Sequence, residues 1–142
     1  TADLVEENIG ISKEYNNFEL INAVAHKNET KAFTIAKYFA LNTKNNPLVV
    51  TIALFYNFFS RLLQYHGIIY KNTGANPADI AKQLGISPYG LKDYQTAAKV
   101  YPMKKVSQNI AVIREIDLKG KGVNGTLTHD DLLKELLIKT LR

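Results

Sequence analysis

With 142 residues the chain is the size of one ordinary domain, and 46% hydrophobic against 22% charged residues describe a globular core rather than a disordered polymer. Cysteine is absent, which removes disulfides, thiolate zinc sites and cysteine nucleophiles and fits a cytoplasmic protein. The formal charge of +5 permits weak attraction to polyanions, a property shared by many proteins with no nucleic-acid role.

The first ten residues, TADLVEENIG, are acidic and lack the basic start and apolar run of a signal peptide; they read as a cut inside a longer protein. Beyond them, no stretch alternates with period two for long, whereas apolar residues at spacings of three and four recur throughout, so the chain is expected to be all-helical. Asn17 is the expected cap of FELINAVAHKN, with Phe18, Ile21, Val24 and Ala25 on one stripe and Asn28 as the stop. The next helix, Glu29 to about Leu41, should turn Ala32, Phe33, Ile35, Ala36 and Phe39 inward.

TKNNP then forms a loop, with Asn46 as expected N-cap and Pro47 at the first helical position, where its missing N–H costs nothing. The following segment, PLVVTIALFYNFFSRLLQYHGIIY, would extend about 36 Å at 1.5 Å per residue. Asn57, Ser60, Arg61, Gln64 and His66 interrupt it, so a buried central helix explains it better than a membrane span. Two short helices follow, Pro77 to Leu84 and Pro88 to about Val100, capped by Asn76 and Ser87. Another runs from Met103 to about Lys119, with Val106, Ile110, Ile113 and Ile116 or Asp117 toward a partner. After GKGVNG, Thr128 should cap a last helix whose Asp130 and Asp131 suit the positive end of the helix dipole.

No catalytic constellation is legible. His26, His66 and His129 lie far apart, with no metal-ligand spacing around them. The one glycine cluster, KGKGVNG, follows a helix rather than a strand and lacks the phosphate-loop pattern, so no cofactor is expected. A hydrolase or transferase with an unfamiliar site is the weakest of the readings.

NPADIAKQLGIS has the sound of a helix-turn-helix, and a sequence-reading DNA-binding protein is therefore an alternative function. Its second helix, PYGLKDYQTAAKVYP, offers only Lys92, Gln95 and Lys99 as polar readers, with Asp93 unfavourable toward phosphate and no arginine. Two short helices crossing around Ile80, Leu84, Ile86 and Leu91 is the plainer reading.

The order of segments is more specific than any of them. NNFELINAVAHKNETKAFTIAKYFA, NPLVVTIALFYNFFSRLLQYH, NPADIAKQLGISPYGLKDYQTAAKVYPMKKV and IREIDLKGKGVNGTLTHDDLLKELLIKTL together resemble the C-terminal part of the delta subunit of the bacterial DNA polymerase III clamp loader, from about Asn16 to Leu141. VEENIGISKEYNNFEL looks like the junction with the lid of that family's AAA+-like module. YNFFSRLLQ looks like its central helix, and IDLKGKG like the end of its penultimate helix. The resemblance implies residues 1–15 as a remnant of the lid and linker, and 16–142 as a helical collar domain built around one long buried central helix.

It also implies a non-catalytic part in DNA replication, within a complex whose DNA-directed DNA polymerase is the nucleotidyltransferase. Partners would be other loader subunits of the gamma/tau and delta-prime types. The sliding clamp would be gripped by a different domain of the subunit, primed DNA would be met only indirectly or non-specifically, and no membrane is involved. Leu132, Leu133, Leu136, Leu137 and Ile138 spread around much of the last helix, so some should be exposed; the four leucines with Arg114, Asp117 and Lys119 are the expected subunit-interface residues. Six basic residues against two acidic ones lie between Lys99 and Lys121, making Lys99, Lys104, Lys105 and Lys121 candidates for contact with DNA or an acidic partner.

Overall fold

The computed structural model describes residues 14–122 and 127–142. Among the described residues there are seven α-helices and no strand: α1 (Asn17–Ala25), α2 (Glu29–Leu41), α3 (Leu48–Lys71), α4 (Pro77–Leu84), α5 (Leu91–Val100), α6 (Met103–Gly120) and α7 (His129–Leu141), with a 3-10 turn, Pro88–Gly90, leading into α5. The fold is the expected all-α bundle. Residues 1–13 and part of the KGKGVNG loop lie outside the description.

Five helices close a ring, each packed on the next in the order α3, α6, α7, α2, α1 and back to α3. The α4–α5 corner seals it, α5 against α3 and α1 and α4 against α3. The centre of the ring is aromatic. Phe59 meets the ring of Tyr101 edge-on at 5.4 Å between centroids, and Phe58 stacks on Tyr94 at 5.2 Å, arrangements that add to the stabilisation from burial itself.

Most helix ends obey the local signals. Asn28, Asn76 and Thr128 each accept a backbone N–H at the helix start, and Asp131 returns the favour at Thr128, completing a capping box. Two caps differ from expectation. Asn16, not Asn17, accepts from Glu19 N–H, so α1 begins one residue early. Pro47 is itself the N-cap of α3, while Asn46 is buried and its Nδ2 donates to the Asn42 carbonyl, holding the preceding turn instead.

In α1 Leu20, Ala23, Val24 and Ala25 face inward and Phe18 is exposed, correcting its placement on the core stripe. Phe33 is half-buried rather than fully inward. A larger correction concerns α3, which is central but not buried all round. By length and mean hydropathy of 1.3 it could cross a membrane, yet its inner face, with Phe55, Phe59 and Leu62, forms the centre of the bundle. Its outer face carries Val49, Val50 and Tyr56 into solvent.

Between α6 and α7 the packing includes one buried amide. Asn109 Nδ2 donates to the Thr140 carbonyl at 3.0 Å, satisfying one of the last carbonyls of α7, which no intrahelical N–H can reach. Histidines act in a similar way: His66 Nε2 donates to the Tyr101 carbonyl at 2.7 Å and His129 Nε2 to the Asn46 carbonyl at 3.0 Å. Both hold loops to helices, a use consistent with isolated histidines.

Candidate functional site

The last helix carries leucines on more than one side because it packs between two neighbours, α2 and α6. Leu132, Leu133, Leu136 and Leu137 are all at most 2% exposed, so the bundle itself consumes them; Ile138 alone, at 43%, faces outward as expected of this group. The four leucines therefore offer no surface to a neighbour in the closed bundle. Lys119 is also engaged, its Nζ 2.9 Å from Glu135 and 3.1 Å from Glu115, where it clasps α6 to α7.

The basic candidates scatter. Lys104 and Lys105 occupy the first turn of α6 and Lys121 caps its other end, about 25 Å away for 17 residues of rise. Lys105 Nζ donates to the Lys139 carbonyl, and desolvation, followed by the nearby Lys27 charge, lowers its pKa. Lys121 pairs with Asp117 at 2.9 Å. Lys99 and Lys104 remain exposed.

The helix-turn-helix corner is spent on packing. Ile80, Ala81, Leu84, Leu91, Tyr94 and Ala97 face the core, and Gly85 ends α4 at φ 71°, the left-handed conformation that glycine adopts most readily. Ser87 Oγ accepts from Tyr89 N–H, starting the 3-10 turn, so the positions from which a reading helix would reach bases are not yet α-helical. The most exposed side chain there is Tyr89, at 94%.

Among the surfaces the bundle leaves outward is one stripe of α3. Val49, Val50, Ala53, Asn57, Gln64 and Lys71 are all exposed at helical spacing, apolar over the first turns and polar over the last. A groove of about 390 Å³ runs along its N-terminal half against α6, lined by Val49, Ala53, Tyr56, Arg114, Asp117 and Lys121 among others. On the opposite flank a second groove of about 480 Å³ lies between α1, α3 and α5, with Phe18, Leu54 and Arg61 on its walls. Asn57 lines both.

Arg114 is the electrostatic feature of this face. Its guanidinium lies 5.9 Å from the Tyr56 ring centroid, and its proximity, followed by that of Ser60, lowers the phenol pKa. Among the described residues no carboxylate lies within ion-pair distance of Arg114. Asp117, three residues on, is turned to Lys121.

Of the residues expected from sequence, Arg114 and Asp117 thus meet at one groove, Lys121 joins them from the basic set, and the leucines do not. Val49, Ala53 and Tyr56 were missed because α3 reads as apolar all round, although a helical wheel turns Val49 and Ala53 away from Phe55 and Phe59. No cluster of three or more metal-ligating side chains occurs among the described residues.

Comparison with curated proteins and with solved structures gives no significant match. A family model does match, the DNA polymerase III delta subunit, C-terminal domain, over residues 14–141, almost the whole chain. The all-helical bundle agrees with it, and the chain belongs to the family formed by the C-terminal domains of DNA polymerase III delta subunits.

Proposed function

We propose that this domain is a non-catalytic assembly module: the collar domain through which a clamp-loader delta subunit packs against its neighbours during DNA replication. Family membership supports a role in replication and association with other loader subunits. The observation that carries the assembly role is the outward stripe of α3, where Val49, Val50, Ala53 and Tyr56 remain exposed beside a groove after the bundle has closed its own core.

On this reading the neighbours are subunits of the gamma/tau and delta-prime types, the segment 1–15 is the tail of an AAA+-like lid, and 16–142 is the collar. The sliding clamp is gripped by another domain of the subunit, and the assembly works in the cytoplasm at the replisome. Primed DNA is touched, at most, non-specifically through the exposed Lys99 and Lys104. Arg114 and Asp117 stay interface residues on this reading, whereas Lys119 acts within the domain.

Light scattering of the full-length subunit mixed with purified loader subunits tests the proposal. A defined hetero-oligomer is the expected result, and a mixture that scatters as separate components overturns it.

A further inference from the structure

We infer that the groove between α3 and α6 receives a helix from the neighbouring loader subunit, apolar along one face and carrying a carboxylate that binds Arg114. The inference rests on the assembly reading above and adds to it the place and the chemistry of the contact.

Three observations point to such an occupant. The exposed residues of α3 are apolar from Val49 to Tyr56, with Asn57, Gln64 and Lys71 polar beyond them and Tyr70 the one large apolar exception in that half. Solvent alone would favour polar residues in both halves; an apolar half beside a groove is the mark of a surface that is covered. The groove is open along the helix, and its walls, α3 and α6, leave the kind of furrow into which ridges of a third helix fit.

The charge at its edge chooses the partner. The Arg114 guanidinium lies 5.9 Å from the Tyr56 ring centroid and lacks an anionic partner among the described residues. An exposed planar guanidinium resting near an aromatic ring still has N–H donors for an incoming group and suits a carboxylate, which it binds through two parallel hydrogen bonds. Asp117, neutralised by Lys121, does not repel it. A second copy of this chain, with its net charge of +5, would suit the groove less well, since it carries the same sign as Arg114.

The test uses the full-length subunit and the purified loader subunits, with affinity read by interferometry at low and high salt. Ala53→Glu places a charge on the groove floor and Arg114→Glu inverts its edge; both positions are exposed, and circular dichroism of each variant checks that the bundle persists. Lys92→Glu, exposed on α5, is the control. Ala53→Glu should weaken assembly by on the order of thirtyfold or more. Arg114→Glu should weaken it by about tenfold, an effect that shrinks in high salt, and Lys92→Glu should leave it unchanged.

If wild type assembles and both groove variants assemble equally well, the inference fails while the assembly role stands. If wild type finds no loader subunit at all, the assembly role fails and takes the inference with it. A homodimer that Ala53→Glu dissolves, with hetero-assembly untouched, would show a second copy in the groove and overturn the choice of partner.

Discussion

The hydroxyl of Tyr101 donates to the carbonyl oxygen of Val24 at 2.7 Å, with the whole tyrosine buried and 77 residues of chain between the two. Tyr101 sits between α5 and α6, its ring on Phe59 and its own carbonyl accepting from His66, so one residue ties α1, α3 and the α5–α6 corner together. Val24 O also accepts from Lys27 N–H, so removing the hydroxyl does not orphan it. Tyr101→Phe should therefore cost about 1 kcal/mol, the net worth of one hydrogen bond, seen as a lower urea midpoint with an unchanged m-value.

The same tyrosine makes an alkaline prediction. Burial, with a smaller contribution from the Glu29 charge, raises the phenol pKa well above its ordinary value of 10.0. The folded chain thus keeps a proton that the unfolded chain releases above about pH 10, and stability present below that pH is lost as pH rises further. Denaturation curves between about pH 9 and 11 should show the decline, less steep in Tyr101→Phe; an equal slope in both proteins would remove Tyr101 as its source.

Two glycines offer a matched comparison, since a β-carbon added at Gly67 or at Gly85 would meet nothing within 4 Å. Gly67 lies within α3, where alanine avoids the backbone entropy that glycine loses, and Gly67→Ala should stabilise by up to about 1 kcal/mol. Gly85 holds φ at 71°, so Gly85→Ala should destabilise by about 1 kcal/mol through backbone strain alone. Thermal midpoints moving in the same direction would refute the explanation.

Hydrogen bonds from Lys139 and then Lys119 lower the pKa of Glu135. The stabilisation is therefore present above the ordinary glutamate pKa of about 4.3 and is lost as pH falls through the lower folded value. Glu135→Gln should flatten the acid limb of the stability curve at low salt. At about 0.5 M salt the two proteins should converge, because this clasp between α6 and α7 is partly open to solvent.

For DNA the expectation is weak binding of equal strength to unrelated duplexes, with a salt dependence. Lys92 and Gln95 are polar side chains that the second helix could offer to bases, and their replacement by alanine should leave that binding unchanged in fluorescence anisotropy. Selectivity among duplexes that disappears with either substitution would restore the sequence-reading alternative.

Features set by neighbours in the chain were legible before the fold was known. Thr128 with Asp131, Asn76 with Pro77 and the glycine after Leu84 carry their own geometry, so those helices start and stop where the sequence predicts. Adjacent asparagines are harder: Asn16 and Asn17 offer the same side chain, and which one caps depends on whether Leu20 or Phe18 finds the core. Burial of whole faces depends on distant elements. The leucines of α7 looked like surplus because nothing local announces that α2 will cover one side and α6 the other. Conversely, α3 looked buried throughout, since an uncovered Val49 and a covered Ile52 have the same local signature. Arg114 and Asp117 could be named from the resemblance, but their meeting with Tyr56 required the pairing of α3 with α6.

The closed ring of helices sets an order on synthesis. Its two closing contacts, α7 with α2 and α7 with α6, both wait for the last helix, and Arg142 reaches back to Glu29 across 113 residues. While a ribosome is still making α6, α2 and α6 each expose the face that α7 will cover. A nascent chain stalled before Leu132 should be protease-sensitive and chaperone-bound, and should become compact only after the leucines of α7 have emerged. Partner subunits would then encounter this domain as a finished block rather than help to fold it.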